Sequence, residues 1–165
     1  MDFIRNLSDT DLIASYGVVI DELKRRQIIR SKNVVDDLGE YIAIKHHCDT
    51  KGLPKLQAAP PSTKNIDAIS VDGDRYSIKA TTSSTTSVFY GLNPPGSNEP
   101  EQQKFEYVIL VLFDTNVRLK QINELTWEQF FKYKRWHSRM SAWSLSVSKE
   151  MLENTRVVYK YADKL

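Results

Sequence analysis

Asp67 and Lys79 frame the segment Asn65-Ile-Asp67-Ala-Ile-Ser-Val-Asp-Gly-Asp-Arg-Tyr-Ser77-Ile-Lys79, which reads as a strand, a tight turn and a second strand. Asp72-Gly73 marks the turn, because glycine reaches the positive-φ backbone that short hairpins need. A carboxylate and an amine gathered at one end of such a hairpin can hold a divalent metal and orient a water for hydrolysis. Without further partners the same two groups form an ordinary cross-strand ion pair worth about 0.2–1 kcal/mol. Register separates the outcomes. A three-residue loop over Asp72–Asp74 sets Asp67 directly opposite Lys79, with Ser77 on the same face and Ile66, Ala68, Tyr76, Ile78 and Ala80 on the other. A two-residue loop shifts the pairing by one and sets Asp67 opposite Ile78. That register groups Ile69, Val71, Tyr76 and Ile78 as an equally acceptable apolar face, so periodicity leaves both open.

Glu40 offers a second carboxylate. It lies in Asn33-Val-Val-Asp-Asp-Leu-Gly39-Glu40-Tyr41, at the entry of a helix predicted from after Asn33 to about Cys48. Val34, Val35, Leu38, Tyr41, Ile42 and Ile44 cover one broad arc of that helix, and Glu40 falls at its edge. An edge position can face a cleft while the helix packs on a sheet.

The elements that must position these groups follow from patterning. Ser8-Asp9-Thr10-Asp11 caps a first helix over roughly 9–27, with Leu12, Ile13, Tyr16, Val19, Ile20 and Leu23 at helical spacing. Gly52 and Pro54 close the second helix, Ala59-Pro60-Pro61-Ser62 is a loop, and a short strand around Leu56 is weakly signalled. Residues 81–104, rich in Thr, Ser, Pro and Gly, read as a long mobile loop. Tyr107–Phe113 is a continuous apolar run, as in a strand covered on both faces. Val117–Ile122 alternates like a strand with one wet face. Thr126 with Gln129 resembles a capping box for a helix to about Trp136, followed by a helix near 148–153 and a strand at Arg156–Tyr159. One sheet flanked by helices, an α/β domain spanning 1–165, is the expected architecture, with its core over about 33–125 and accessory elements over 126–165.

Bulk properties narrow the class. A single domain of 165 residues can bury a substantial core. One cysteine, Cys48, rules out an internal disulfide framework and fits a reducing compartment. No apolar run approaches the ~20 residues that span a bilayer, and the N-terminus lacks a signal-peptide layout. A cytoplasmic protein without membrane partners is the default expectation. The net charge of +2 neither requires nor opposes a polyanionic partner.

Taken together, Gly39-Glu40-Tyr41, Asn65-Ile-Asp67-Ala-Ile, Asp-Gly-Asp-Arg-Tyr-Ser-Ile-Lys79 and the run Phe105–Asp114 resemble the PD-(D/E)xK, or restriction-endonuclease-like, nuclease superfamily, in particular a subgroup of small bacterial and phage nuclease-like proteins. The resemblance covers about residues 30–125. It implies a restriction-endonuclease-like core with a central mixed β-sheet flanked by helices, and a Mg²⁺-dependent endonuclease that hydrolyses DNA phosphodiester bonds, in a restriction or defence setting, with Mn²⁺ able to substitute. By position, Asp67 would be the central metal carboxylate and Glu40 a further ligand. The backbone carbonyl of Ile78 would complete the set, and Lys79 would orient the attacking water. Double-stranded DNA and a homodimer are the implied partners. The sequence departs from the pattern at Ser77, where an acidic residue is expected, and no proline precedes Asp67. A nuclease-fold module that binds nucleic acid or assembles without cutting is the alternative.

Lys132, Lys134, Arg135, His137 and Arg139 alternate with Tyr133 and Trp136, which suits phosphate contacts with stacking aromatics as well as a cationic helix end. Lys24, Arg25, Arg26, Arg30 and Lys32 read as a solvated face. His46-His47-Cys48 cannot converge on one ion, since adjacent helical residues point about 100° apart. Neither a nucleophilic triad nor a phosphate-cradling glycine loop is present.

Overall fold

The computed structural model describes residues 2–60 and 63–162. Two short-range signals build the start of the chain. A first turn, α1 (Asp2–Arg5), precedes α2 (Asp9–Arg25), whose N-cap Ser8 accepts from the Asp11 amide. The chain then enters α3 (Val34–Asp49). Of the predicted loop at 59–62, Pro61 and Ser62 lie outside the described residues.

A mixed sheet of six strands organises the rest. Its strands are β1 (Leu56–Ala58), β2 (Ala68–Ser70), β3 (Arg75–Thr81), β4 (Tyr107–Phe113), β5 (Leu119–Thr126) and, after the accessory elements, β8 (Arg156–Lys160), in the spatial order β1-β2-β3-β4-β5-β8. Only β3 and β4 run parallel; the other neighbours are antiparallel. Because β8 pairs with β5, the central sheet also takes in Arg156–Lys160 of the accessory segment. The α/β class with helices about a mixed central sheet is thus established.

The apolar run of β4 explains the two layers. Side chains alternate along a strand, so Ile109, Val111 and Phe113 enter one buried cluster while Val108 and Leu110 enter the other. On the first face α3 packs across β3, with Gly39, Ala43 and His47 recurring every fourth residue toward the sheet. Val35, Leu38, Ile42 and Ile44 of the predicted arc pack around this contact, whose most buried positions are small or polar, while Tyr41, expected inside, is exposed. A Cβ on Gly39 would lie 2.3 Å from the Ala80 Cβ, so glycine is what allows this close approach.

The second face is covered by α4 (Trp127–Tyr133), by the irregular stretch after β3, and by a hairpin the sequence pattern did not reveal. The capping box of Thr126 and Gln129 forms as expected, but the helix stops at Tyr133 instead of Trp136. Lys134 is already extended (φ −62°, ψ 144°), and β6 (Lys134–His137) pairs with β7 (Ala142–Leu145) around a 3₁₀ turn at Ser138–Met140. Trp136 and Trp143 face each other across this hairpin with ring centroids 5.2 Å apart, an aromatic cross-strand contact that favours strands over helix. The expected helix near 148–153 is α5 (Lys149–Glu153).

Residues 82–104 are irregular, as their composition suggests, yet they are pinned. Phe89 and Leu92 are buried, the Phe89 amide donates to the Trp143 carbonyl (2.6 Å), and Val147 donates to Ser84 (2.8 Å). This stretch therefore forms a wall of the molecule rather than the expected free loop.

Candidate functional site

The motif hairpin closes with a register that neither sequence alternative contained. Ala68 pairs with Tyr76 and Ile69 with Arg75, so the three-residue loop is Val71–Gly73. The Gly73 amide donates to Ser70 (3.0 Å) and Gly73 adopts φ +93°, a β-turn closed by a left-handed glycine. The loop has the first alternative's length but begins one residue earlier. Pairing slides by two residues, which preserves faces: Ala68, Tyr76, Ile78 and Ala80 still share the buried cluster under α3. Asp67 is consequently set level with Ser77, and Lys79 lies one pleat farther along.

Asp67 sits just before β2, where its amide donates to the Tyr76 carbonyl (2.8 Å). Its Oδ2 accepts from the Ile78 amide (2.6 Å) and from the Ser77 hydroxyl (3.2 Å). Since the amide and carbonyl of one strand residue point to the same side, the Ile78 carbonyl also faces the Asp67 side. Oδ1 accepts no hydrogen bond among the described residues.

Two adjoining cavities meet at Asp67. One, of about 350 Å³, is lined by Asn65, Asp67, Ser77, Lys79, Phe89 and Tyr90; the other, of about 330 Å³, by Arg30, Asp37, Glu40, Thr63 and Asp67. Asp67 thus joins Glu40 on the α3 side to Ser77 and Lys79 on the opposite side. Lys79 places its Nζ 5.1 Å from the Phe89 ring centre. Burial and then the neighbouring Asp67 charge push the Glu40 carboxyl above the usual range, with Arg30 and Lys79 opposing and Asp37 adding to the rise. Glu40 pairs with Arg30. Burial works against the charge of Asp37, but the Arg30 and Ser31 amides, at 2.7 and 2.5 Å, hold its carboxyl below the usual range.

This donor set suits a hard divalent cation. Glu40, Asp67 and the Ile78 carbonyl could each offer an oxygen, few enough to leave Mg²⁺ most of its waters, as that ion prefers. Among the described residues no three His, Cys, Asp or Glu side chains form a closed metal cluster. Ser77 is fully buried and its hydroxyl donates to Asp67, so it orients the carboxylate instead of adding charge.

The basic segment is divided by the unforeseen hairpin. Lys132 pairs with Glu150, and Lys134 lies over the rings of Phe131 and Trp143 at 3.5 and 4.0 Å, where burial lowers its pKa. Arg135 and Arg139 are exposed, and of the four only these two present open guanidinium groups to solvent. The hairpin tip borders the cleft, since His137 and Met140 line a third cavity with Lys79 and Tyr90.

A second ionic cluster lies under α3. Glu124 Oε1 accepts from Arg156 (2.9 Å), and its Oε2 lies 3.6 Å from Nε2 of the fully buried His47. His47 Nδ1 bonds the Ala43 carbonyl (2.9 Å), while His46 turns toward Tyr159 and the half-buried Cys48 donates to Leu56. The His-His-Cys run therefore serves three separate contacts. Burial alone would raise Glu124, but His47 and Arg156 hold it below the usual range.

Sequence reasoning missed Arg30, Asp37, Phe89 and Tyr90 as neighbours of the site. Asp36-Asp37 at a helix entry was the one local signal, and it indicates a cap as readily as a cleft. No protein-family model matches the chain, and no curated protein matches it. No helix of the described residues is long and apolar enough to cross a membrane.

Proposed function

We propose that the protein is a Mg²⁺-dependent endonuclease of the restriction-endonuclease-like fold, hydrolysing phosphodiester bonds in duplex DNA. One observation carries the reading: Glu40 and Asp67 line one cavity, Asp67 and Lys79 line the adjoining one, and burial and then the Asp67 charge push the Glu40 carboxyl above the usual range. A carboxyl that resists ionisation in a cavity shared with a second carboxylate is an environment that a divalent cation relieves. When bound, Mg²⁺ would neutralise the carboxylates and polarise a phosphate oxygen. Asp67, fixed by Ser77 and the Ile78 amide, offers Oδ1 to the ion. Lys79 holds the attacking water by hydrogen bonding and stabilises charge developing on the phosphate. Arg135 and Arg139 on the adjoining hairpin supply phosphate contacts along the DNA.

Ser77 favours a second reading, a nuclease-fold module that binds without cutting, because the buried hydroxyl adds no charge to the ligand set. Cleavage of plasmid and single-stranded DNA with Mg²⁺ or Mn²⁺ separates the two. The enzyme reading expects nicking that falls by at least ~10²-fold in both Asp67→Ala and Lys79→Ala. Equal cleavage by both variants would sink it. No cleavage combined with steeply salt-dependent DNA binding would support the binding module.

A further inference from the structure

The helix α2 leaves most of its apolar stripe uncovered, with only Ile20 and Leu23 partly buried. Among its residues none is buried, and Leu12, Ile13, Tyr16 and Val19 are 44%, 75%, 67% and 53% exposed. Leu12, Tyr16, Val19 and Leu23 are spaced four, three and four residues apart, the seam of a two-helix coiled coil. A lone amphipathic helix this exposed needs a partner for that seam.

We infer that α2 pairs antiparallel with α2 of a second copy of this chain. Charge selects this occupant. The helix begins with Asp9 and Asp11 and ends at Lys24, Arg25 and the capping Arg26, so two parallel copies would set like charges together at both ends. Antiparallel copies in the register that matches Leu12 with Leu23 and Tyr16 with Val19 also match Asp9 with Arg26 and Asp11 with Lys24. Glu22 already binds Arg25 and Arg26, but these pairs are solvent-exposed and leave Lys24 to the partner. The helix carries more acidic than basic residues, Asp9, Asp11, Asp21 and Glu22 against Lys24 and Arg25, which disfavours an anionic lipid surface. None of the seam residues lines the Glu40–Asp67–Lys79 cleft, so pairing can be followed in protein that cannot cut.

Sedimentation equilibrium of the full chain tests the assignment. The wild type is expected at twice the monomer mass, and Tyr16→Asp with Val19→Asp is expected to weaken the dimer by more than ~10-fold. Asp9→Lys with Asp11→Lys makes both helix ends positive, and Lys24→Glu with Arg26→Glu makes both negative. Each of these variants alone is expected to dissociate, and an equimolar mixture to recover the dimer. Circular dichroism of each variant confirms that α2 remains helical. A monomeric wild type overturns the inference, as does a dimer indifferent to these changes, failure of the mixture to reassociate, or a monomer that instead binds vesicles of zwitterionic or anionic lipid.

Discussion

Glu40 and Glu124 are both held in place by the packing of α3 on the sheet, yet their surroundings are opposite. Glu40, in an open cavity, is pushed up by burial and then by the Asp67 charge; Glu124, enclosed, is held down by His47 and Arg156 against its burial. Arg156 donates to Glu124 Oε1, while Glu124 Oε2 and His47 Nε2, 3.6 Å apart, are buried without a hydrogen-bond partner among the described residues. Around Glu40 the cavity is open: Arg30 pairs with Glu40, Asp37 and Asp67 line the same cavity, and Lys79 lines the adjoining one. An enclosed carboxylate with cationic partners reads as structure, whereas the cation site is proposed where a carboxylate shares an open cavity with a second one.

The contrast is broken most severely by removing the enclosed carboxylate. Glu124→Ala leaves His47 and Arg156 without their partner and is expected to cost ~3–5 kcal/mol in urea unfolding, with cleavage per folded molecule unchanged. A loss below ~1 kcal/mol would show that the cluster is not stabilising.

Next comes the shared scaffold. Gly39→Ala drives a Cβ into Ala80 and is expected to cost ~1–3 kcal/mol while lowering cleavage as well, since α3 carries Glu40. Unchanged stability would mean that α3 shifts freely on β3. Ser77→Ala removes one hydrogen bond to Asp67, for ~0.5–1.5 kcal/mol. Its sharper readout is a weaker Mg²⁺-induced rise in melting temperature, because Asp67 loses its orientation.

The smallest effects distinguish the two glutamates by sign. Glu40 has a raised folded-state pKa, so its contribution to metal-free stability is present below the ordinary Glu range and is lost as pH rises through the raised value. For the proposed Mg²⁺ site, affinity is expected to run the other way, strengthening as pH rises, because the ion would need the carboxylate. Glu124 has a lowered pKa, so its contribution is present above the ordinary range and is lost as pH falls through the lowered value. Melting temperature followed against pH in Glu40→Gln and Glu124→Gln checks both. The same sign in both variants would erase the distinction.

Much of this was legible locally. Helix starts at Ser8 and Thr126, the doubly covered strand Tyr107–Phe113 and the glycine turn at Gly73 each arise from contacts a few residues apart, which spacing records. The β6–β7 hairpin was not legible. Lys132–Arg139 carries no strand alternation of apolar residues, and its fold depends on Trp143 and on residues 84–89, far along the chain. The hairpin register was half legible: its faces follow from periodicity, but the two-residue slide that sets the Asp67 side chain on the Ile78 amide does not.

By itself the sequence determined which residues could do chemistry, Glu40, Asp67 and Lys79, and that α3 and the hairpin would carry them, because residue type and short-range periodicity are local properties. Only the tertiary structure decided that Asp67 stands between two cavities, that Ser77 turns its hydroxyl to that carboxylate, and that Arg30 and Phe89 close the rim. Those relations join α3 to β3 and β3 to β7, and the energy that fixes them comes from burial and charge between distant segments.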